Sequence, residues 1–298
     1  YDTADLEAIQ GAGDEPLIQP PDKYERLYQA IRLGVQDYFR KLNFEKAIIG
    51  LSGGIDSGLT MALAAKALGP ENVLGVPSPY TSQESIDDAE ALAENLGSPL
   101  KKINIEGLFE QYKEVLEPHF NGTGEGIAEE NIQARGRSVL LMAISNKFGH
   151  ILLNTSNKSE MAVGYSTLYG DMCGGLSLIG DVYKTEAFEL SRYLNERFGP
   201  TIPENMIEKP PSAELKPDQK ETDLLPPYAE LDPILYEYIE NRRGPEEIIA
   251  MGHDEQVVRM ALKMVNQSEY KRYQSPPILR VSDKAFGMGR RLPIVAKY

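Results

Sequence analysis

Apolar residues along the first half of the chain follow two spacings, and each spacing predicts a different element. Between residues 24 and 42 they recur every three or four positions, which is the spacing of an amphipathic helix. Four short runs with strand-like character follow, at 47–51, 73–79, 100–105 and 150–156. The almost continuous apolar character of 47–51 fits a strand buried on both faces. Helical patterns separate these runs, at 58–68, 84–97, 107–116 and 131–148. The alternation predicts an α/β fold, a doubly wound parallel sheet with helices on both faces.

The second half of the chain is predicted to be mainly helical, with one long interruption. Helical spacing is present at 185–199, 233–243, 245–251 and 254–267. The stretch 200–233 contains eight prolines and little periodicity, and a long segment of this kind is typically a lid or a connector. We expect a mobile loop here, centred near residues 212–225; the alternative is a static linker. Residues 1–22 are interpreted as a linker because they are polar and contain several glycines and prolines, and residues 23–298 are interpreted as one domain.

Composition and charge narrow the classes of function. The chain has 298 residues and a formal net charge of −14, which argues against a nucleic-acid backbone or an anionic membrane as the main partner. No apolar run approaches the roughly 20 residues that a membrane span requires. The single cysteine excludes an internal disulfide, so a cytoplasmic protein is expected. The sequence shows no signal peptide and begins without a methionine, which suggests a fragment of a longer chain.

A polar hexapeptide follows the first apolar run, at the end of the predicted strand: Ser52-Gly53-Gly54-Ile55-Asp56-Ser57. Adjacent glycines allow a tight turn and bring backbone N–H groups close to a ligand, and the next helix directs its positive N-terminus to the same place. These features predict a cradle for phosphate groups, although the lysine of the GxxxxGK[ST] loop is missing. Asp56 would repel phosphates unless a divalent cation such as Mg²⁺ lies between them. The alternative is a plain glycine turn with Asp56 and Ser57 as helix caps.

The hexapeptide resembles the SGG-x-DS loop of the ATP pyrophosphatase family, whose members cleave ATP to AMP and pyrophosphate on an adenine nucleotide alpha hydrolase-like fold. Four further stretches are similar, in this order, to the synthetase domain of glutamine-dependent NAD⁺ synthetases: NIQARGR (131–137), NTSNKSEMAVGYSTLYGD (154–171), GDVYKTE (180–186) and SEYKRYQSPP (268–277). The stretch KPPSAELKPDQKETDLLPPY (209–228) is also similar to the mobile loop of that family. The resemblance extends over nearly all of residues 24–298.

The resemblance implies a set of site residues. It implies that ATP is contacted by Thr155, Lys184, Ser212 and the loop residues Gly50, Leu51, Ser52, Gly53, Gly54, Ile55, Asp56 and Ser57. It implies that deamido-NAD⁺ lies near Asn131, Arg135, Glu160, Asp171 and Lys271. The implied ligands of Mg²⁺ are Asp56 and Glu160, and the implied catalytic residues are Asp56, Glu160 and Lys184.

The reaction implied by the resemblance is the ATP-dependent amidation of deamido-NAD⁺ to NAD⁺ by ammonia, through an adenylated nicotinate, with release of AMP and pyrophosphate. The family's glutaminase domain, which generates ammonia from glutamine, has no counterpart in these 298 residues, so we expect it in a longer parent chain. The family also implies a homodimer. The helices predicted at 24–39 and 131–148 carry broad apolar faces that suit either an interface or the core.

On the residues alone, other interpretations stay open. Asn131 and Arg135 could be a cap and a solvated side chain on one helix face, and Glu160, Lys184 and Lys271 could be ordinary surface charges. The single cysteine has no identifiable histidine partner and is interpreted as a bystander, and the three histidines lack metal-ligand spacing. Two other classes of function compete: a different amidating or thiolating ligase on the same fold, and a nucleotide-binding protein without catalysis.

Overall fold

The computed structural model of the chain describes residues 21–77, 82–211, 224–287 and 289–294. Within these ranges the strands are β1 Lys46–Leu51, β2 Val73–Pro77, β3 His150–Asn154 and β4 Leu176–Ser177. The helices of the first half are α1 Lys23–Leu42, α2 Ile55–Leu68, α3 Gln83–Leu96, α4 Glu106–Phe120 and α5 Ile127–Phe148, with a short 3₁₀ turn at Pro70–Asn72. The helices of the second half are α6 Lys158–Val163, α7 Lys184–Phe198, α8 Glu204–Glu208, α9 Tyr228–Ile239, α10 Pro245–Ala250, α11 Glu255–Gln267 and α12 Glu269–Arg272.

These strands form one parallel sheet in the order β2-β1-β3-β4. Ile48 of β1 lies opposite Leu74 of β2 and Leu152 of β3. Successive side chains of β1 point to opposite faces: Ile49 belongs to the core cluster that contains α1 and α2, whereas Ile48 packs with Leu141 of α5. Helices therefore cover both faces, which explains why β1 is apolar at nearly every position. The predicted doubly wound parallel α/β sheet is confirmed.

Helix α1 is held against the sheet by a stripe of apolar side chains. The helix begins where the Asp22 side chain accepts a hydrogen bond from the backbone of the first turn. Tyr28, Ile31, Val35 and Phe39 recur at helical spacing and are buried in the same core cluster as β1. Of the two helices that the sequence offered as interface or core, α1 is therefore a core element.

The second half of the chain is mainly helical, as the sequence predicted, and a second core lies among its helices. It joins α6, α9 and α11, and its buried residues include Ala162 and Leu235. The chain then returns to the sheet: the Ser177 N–H donates to the Pro277 carbonyl at 2.8 Å, and the Leu279 N–H donates to the Ser177 carbonyl at 3.2 Å. This stretch covers the open side of β4. In the described part of the chain, no helix combines the length and the apolar character that crossing a membrane requires.

The apolar run 100–105 was predicted as a strand, and this prediction is wrong. The segment runs beside β2, with the Lys101 N–H donating to the Gly75 carbonyl at 2.9 Å, but only Leu100 forms a bridge with β2. Lys101 and Lys102 are exposed and α4 begins at Glu106. The run is therefore an irregular sheet edge: its two lysines face solvent, and among the described residues it pairs with a strand only through this one bridge.

The proline-rich stretch 200–233 is partly helical, contrary to the sequence prediction. It contains α8 and the start of α9, which begins five residues earlier than the periodicity indicated. Pro203 and Pro227 stand directly before these two helices, and proline is tolerated at a helix start because its missing N–H is not needed there. Residues 212–223 lie outside the described ranges, so the mobile lid centred near 212–225 stays a prediction.

Candidate active site

The loop after β1 is stabilised by its own hydroxyl groups. The Ser57 hydroxyl donates to the Gly54 carbonyl at 3.0 Å and accepts from the Ser52 N–H at 3.3 Å. The Gly54 N–H donates to the Ser52 hydroxyl oxygen at 3.2 Å. Gly54 is also the N-cap of α2, so these bonds hold the turn at the positive end of a helix, where anions are favoured. This arrangement suits the predicted phosphate cradle.

Gly53 has two physical reasons to be glycine. Its φ of 81° is left-handed, a conformation that glycine adopts without penalty. A Cβ atom at this position would lie 2.5 Å from the Ser85 Cβ and 2.5 Å from the Ser85 carbonyl oxygen. The loop is therefore pressed against the first turn of α3, and no side chain fits between them.

Asp56, Glu160 and Lys184 come together at the carboxyl edge of the sheet. The Lys184 Nζ lies 2.5 Å from Asp56 Oδ2 and 3.5 Å from Glu160 Oε1. The side chains are 17%, 13% and 2% exposed for Asp56, Glu160 and Lys184, so the group is held away from bulk water. With all three ionised, two negative charges face one positive charge, and the group can accept further cationic charge.

Asn157, which the sequence analysis did not single out, links these charges to the backbone. Its amide Nδ2 donates to Asp56 Oδ1 at 3.0 Å, and its Oδ1 accepts from the Glu160 N–H at 2.9 Å. Glu160 Oε2 in turn accepts from the Asn157 N–H at 3.3 Å. This reciprocal pair is a capping box at the start of α6, and Asn followed by Glu three positions later is its sequence signature. The signal was present in the sequence and was missed.

Two of the residues predicted near deamido-NAD⁺ gather at the other end of α6, around the loop of residues 164–172. Asn131 Oδ1 accepts from the Thr167 hydroxyl at 2.7 Å, and Arg135 Nε donates to the Leu168 carbonyl at 3.1 Å. Both residues stand on α5 one turn apart and so face the same loop. Because α6 has six residues, its two ends are only about 9 Å apart at 1.5 Å per residue.

The same loop is also held by Asp171, which lies within it, and by Lys271. Asp171 Oδ1 accepts from the Thr167 N–H at 2.6 Å. Desolvation by the surrounding protein raises the pKa of Asp171 to about 6, and the Thr167 hydrogen bond opposes this shift. The residue itself is exposed at the surface. The Lys271 Nζ donates to the carbonyls of Gly164 and Ser166, both at 2.7 Å. Burial lowers the pKa of Lys271, and the nearby Asp171 carboxylate opposes that shift.

Helix α12 caps the C-terminal end of α6, a feature that sequence reasoning missed. A guanidinium nitrogen of Arg272 donates to the Ala162 carbonyl at 2.7 Å, and the Ser268 hydroxyl donates to the Val163 carbonyl at 3.0 Å. Cationic side chains are favoured at this end of a helix, and Arg272 is balanced by Glu269 at 2.9 Å. Local sequence patterns do not predict such contacts, because the contacts join residues more than 100 positions apart.

Thr155 and Ser212 are the remaining predicted ATP contacts. Thr155 directly follows β3 and is partly buried at the same sheet edge. Ser212 lies outside the described residues.

The donor set at the Asp56 group fits Mg²⁺ in part. Mg²⁺ commonly takes one or two protein carboxylates and completes its shell with phosphate oxygens and water. Asp56 and Glu160 share the Lys184 ammonium and so face a common point. Within the described ranges, no group of three or more His, Cys, Asp or Glu side chains could hold a metal ion. The two carboxylates fit an ion that arrives with a phosphate ligand, and do not form a complete protein cage.

The fold is that of a parallel α/β protein, in which ligands bind beyond the carboxyl ends of the strands, and here that edge carries the glycine loop, two carboxylates and a lysine. The family model described as NAD synthase matches residues 27–275. The chain belongs to this NAD synthase family.

Curated relatives and solved structures agree with this assignment. The glutamine-dependent NAD(+) synthetase of Synechocystis sp. is 52% identical over 296 residues, which are 99% of this chain and 53% of that protein. The structure of glutamine-dependent NAD+ synthetase from Acinetobacter baumannii in complex with ADP has a TM-score of 0.64 at 41% identity, over 94% of this chain and 51% of that chain. The NH3-dependent NAD synthetase from Campylobacter jejuni has a TM-score of 0.68 at 25% identity, over 84% and 96% of the two chains. The chain spans about half the length of the curated relatives it matches.

Proposed function

We propose that this chain catalyses the ATP-dependent amidation of deamido-NAD⁺ to NAD⁺ with ammonia. The observation that carries the proposal is the group Asp56, Glu160 and Lys184, which lies beside a loop suited to phosphates. The names of the relatives, glutamine-dependent and NH3-dependent NAD synthetases, support the same reaction.

ATP is proposed to place its phosphates on the loop of residues 50–57. The N–H groups at the start of α2 and the Ser52 hydroxyl are proposed as donors for phosphate oxygens, and the Ser57 hydroxyl holds the turn through the Gly54 carbonyl. Lys184 is proposed to contact the phosphates as a buried positive charge, and Thr155 and Ser212 to complete the ATP contacts. The ADP named in the Acinetobacter baumannii structure supports a site for an adenine nucleotide.

Asp56 and Glu160 are proposed to hold Mg²⁺ together with the phosphates of ATP. When bound, the ion neutralises phosphate charge and stabilises the charge that develops on the leaving pyrophosphate. The chain's own part is to present two carboxylates that are fixed before ATP arrives. Asn157 fixes Asp56 through its amide, and the capping box fixes Glu160.

The proposed chemistry has two steps. A carboxylate oxygen of the nicotinate attacks the α-phosphorus of ATP, an O–P bond forms, and pyrophosphate leaves. Ammonia then attacks the carbonyl carbon, AMP leaves with the bridging oxygen, and the nitrogen loses a proton. Lys184 stabilises the negative charge of the leaving pyrophosphate. No protein nucleophile is needed, in keeping with Cys173, whose pKa is raised by burial.

The deamido-NAD⁺ site is proposed to comprise Asn131, Arg135, Glu160, Asp171 and Lys271. Apart from Glu160, these residues hold the loop of residues 164–172 in place: Asp171 from within the loop, and the other three from outside it. We therefore expect them to act as much through the loop that they hold in place as through their own contacts with the ligand.

Ammonia and a second copy of the chain are the proposed partners. The glutamine-dependent relatives are about twice as long as this chain, so we propose glutamine as the nitrogen source only in a longer parent protein. A homodimer is proposed to form through exposed apolar side chains of α4 and α5. These are Val115, Ile127, Val139 and Phe148, which are 68%, 76%, 59% and 58% exposed.

The experiment that tests the substrate is a thermal-stability series with Mg²⁺ and a non-hydrolysable ATP analogue. A ligand that binds only the folded state raises its melting temperature, and we expect this for deamido-NAD⁺ but not for XMP, aspartate or nicotinate mononucleotide. Stabilisation by XMP or aspartate instead would indicate a different amidating ligase. Binding of deamido-NAD⁺ and ATP without formation of NAD⁺ would indicate a protein without catalysis.

A further inference from the structure

Asp232 is a buried carboxylate whose partners all flank the proposed catalytic residues. It lies in α9 and is 4% exposed. The Ser159 hydroxyl donates to Asp232 Oδ1 at 2.5 Å, and the backbone N–H and hydroxyl of Thr185 each donate to Asp232 Oδ2 at 2.8 Å. Ser159 directly precedes Glu160, and Thr185 directly follows Lys184.

Ser159 extends this network to the backbone of the catalytic lysine. The Lys184 N–H donates to the Ser159 hydroxyl oxygen at 2.9 Å. The first N–H groups of a helix have no partner inside the helix, and here two of those of α7 are bonded by Ser159 and Asp232. A carboxylate at this end of a helix is also favoured by the helix dipole. Asp232 therefore fixes the first turn of α7, and it ties that turn to α6.

We propose that Asp232 is a positioning residue for Lys184, acting through Ser159 and Thr185. This inference rests on the proposed function, because it assigns Asp232 a role in the reaction of that site. Lys184 is the first residue of α7, so a shift of this turn moves the ammonium away from Asp56, which lies 2.5 Å from it. A hydrogen bond is lost when such a distance grows beyond about 3.5 Å.

Asp232→Asn is the informative change, because it keeps the shape and removes one acceptor. In one orientation the new amide NH₂ faces Thr185, which already offers two donors, so donor meets donor. In the other orientation it faces Ser159, and the Ser159 hydroxyl proton loses its acceptor. We expect kcat to fall by about tenfold to a hundredfold, as misplacement of a catalytic group by about 1 Å can do. The KM for deamido-NAD⁺ should stay within about twofold, since none of the proposed contacts of that ligand is an Asp232 partner.

Two serines provide a matched pair that separates positioning from general stability. Ser159→Ala removes the hydroxyl that joins Asp232 to Lys184. Ser191→Ala removes an equally buried hydroxyl of α7 that bonds only the Ala187 carbonyl of its own helix. We expect Ser159→Ala to lower kcat and Ser191→Ala to leave kcat unchanged. A similar loss in both variants would overturn the proposal, and the pair serves equally if Asp232→Asn does not fold.

Chemical labelling gives a readout that does not depend on NAD⁺ formation. Lys184 is 2% exposed and should react slowly with acetic anhydride, whereas the exposed Lys263 is an internal reference in the same peptide digest. Mass spectrometry should show faster acetylation of Lys184, relative to Lys263, in Asp232→Asn and Ser159→Ala. If the wild-type chain makes no NAD⁺, the proposed function fails while this test still stands. Wild-type labelling and wild-type kcat in both variants would refute the positioning role.

Discussion

Replacing Gly53 by alanine should destabilise the fold and distort the proposed ATP loop. The loss in free energy of unfolding has two parts, one from backbone strain and one from steric crowding. The left-handed φ of 81° costs a non-glycine residue about 1–2 kcal/mol. The new Cβ would also lie 2.5 Å from the Ser85 carbonyl oxygen, so α3 or the loop must move, and overpacking of this kind costs about 1–3 kcal/mol. Together the free energy of unfolding should fall by about 2–5 kcal/mol.

Gly97 is the matched control, because its φ is also positive and its site is not crowded. Its φ is 73° and a Cβ there would meet nothing within 4 Å, so Gly97→Ala should cost only the backbone part, about 1–2 kcal/mol. Urea unfolding of both variants, with calorimetric titration of ATP and Mg²⁺, measures the difference. Gly53→Ala should also weaken ATP binding, and Gly97→Ala should not. Equal losses of stability in the two variants would refute the argument that the loop is pressed against α3.

Three further predictions concern the metal, the pH dependence and the assembly. Asp56→Asn and Glu160→Gln should each abolish turnover by weakening Mg²⁺ binding; a wild-type rate with wild-type Mg²⁺ dependence in either variant would exclude the metal assignment. Because the pKa of Asp171 is raised to about 6 in the folded state, the native state binds more protons than the unfolded state between about pH 4 and pH 6, and stability falls as pH rises through that window. Asp171→Asn should remove this part of the pH profile of urea unfolding, and superimposable profiles would contradict the shift. Val139→Glu places a charge on the exposed face of α5 and should shift sedimentation towards the monomer; a wild-type chain that is monomeric at assay concentration and fully active would contradict the dimer.

The sheet and most helices could be predicted from the sequence because burial imposes a period on them. The run that became β1 is covered on both faces, and α1 shows its buried stripe directly in the spacing of Tyr28, Ile31, Val35 and Phe39. The run 100–105 misled this reasoning, since apolar residues at a sheet edge resemble a strand without being paired as one. The helices α8 and α9 were missed or misplaced because each begins directly after a proline, in a stretch without clear periodicity.

Part of the candidate site could also be predicted from the sequence, and part could not. The loop of residues 52–57 could be recognised because its parts are adjacent in sequence. Lys158 is an example of a residue whose environment could not be recognised from the sequence. A lysine is normally exposed, yet this one is fully buried, at 2.8 Å from Asp181 and in contact with Glu240. Asp232 is likewise bonded to residues 47 and 73 positions away. Tertiary packing determines which residues become partners here, and the local spacing of residues in the sequence does not indicate it.

The central claim is that the nicotinate carboxylate is activated by adenylation before ammonia displaces AMP. It is tested most directly with deamido-NAD⁺ labelled with ¹⁸O in that carboxylate, incubated with the purified chain, ATP, Mg²⁺ and ammonium. In the proposed mechanism the bridging oxygen leaves with AMP, so mass spectrometry should find one ¹⁸O atom in each AMP and NAD⁺ in equal amount. Formation of ADP with ¹⁸O in inorganic phosphate, or of NAD⁺ together with unlabelled AMP, would contradict the account.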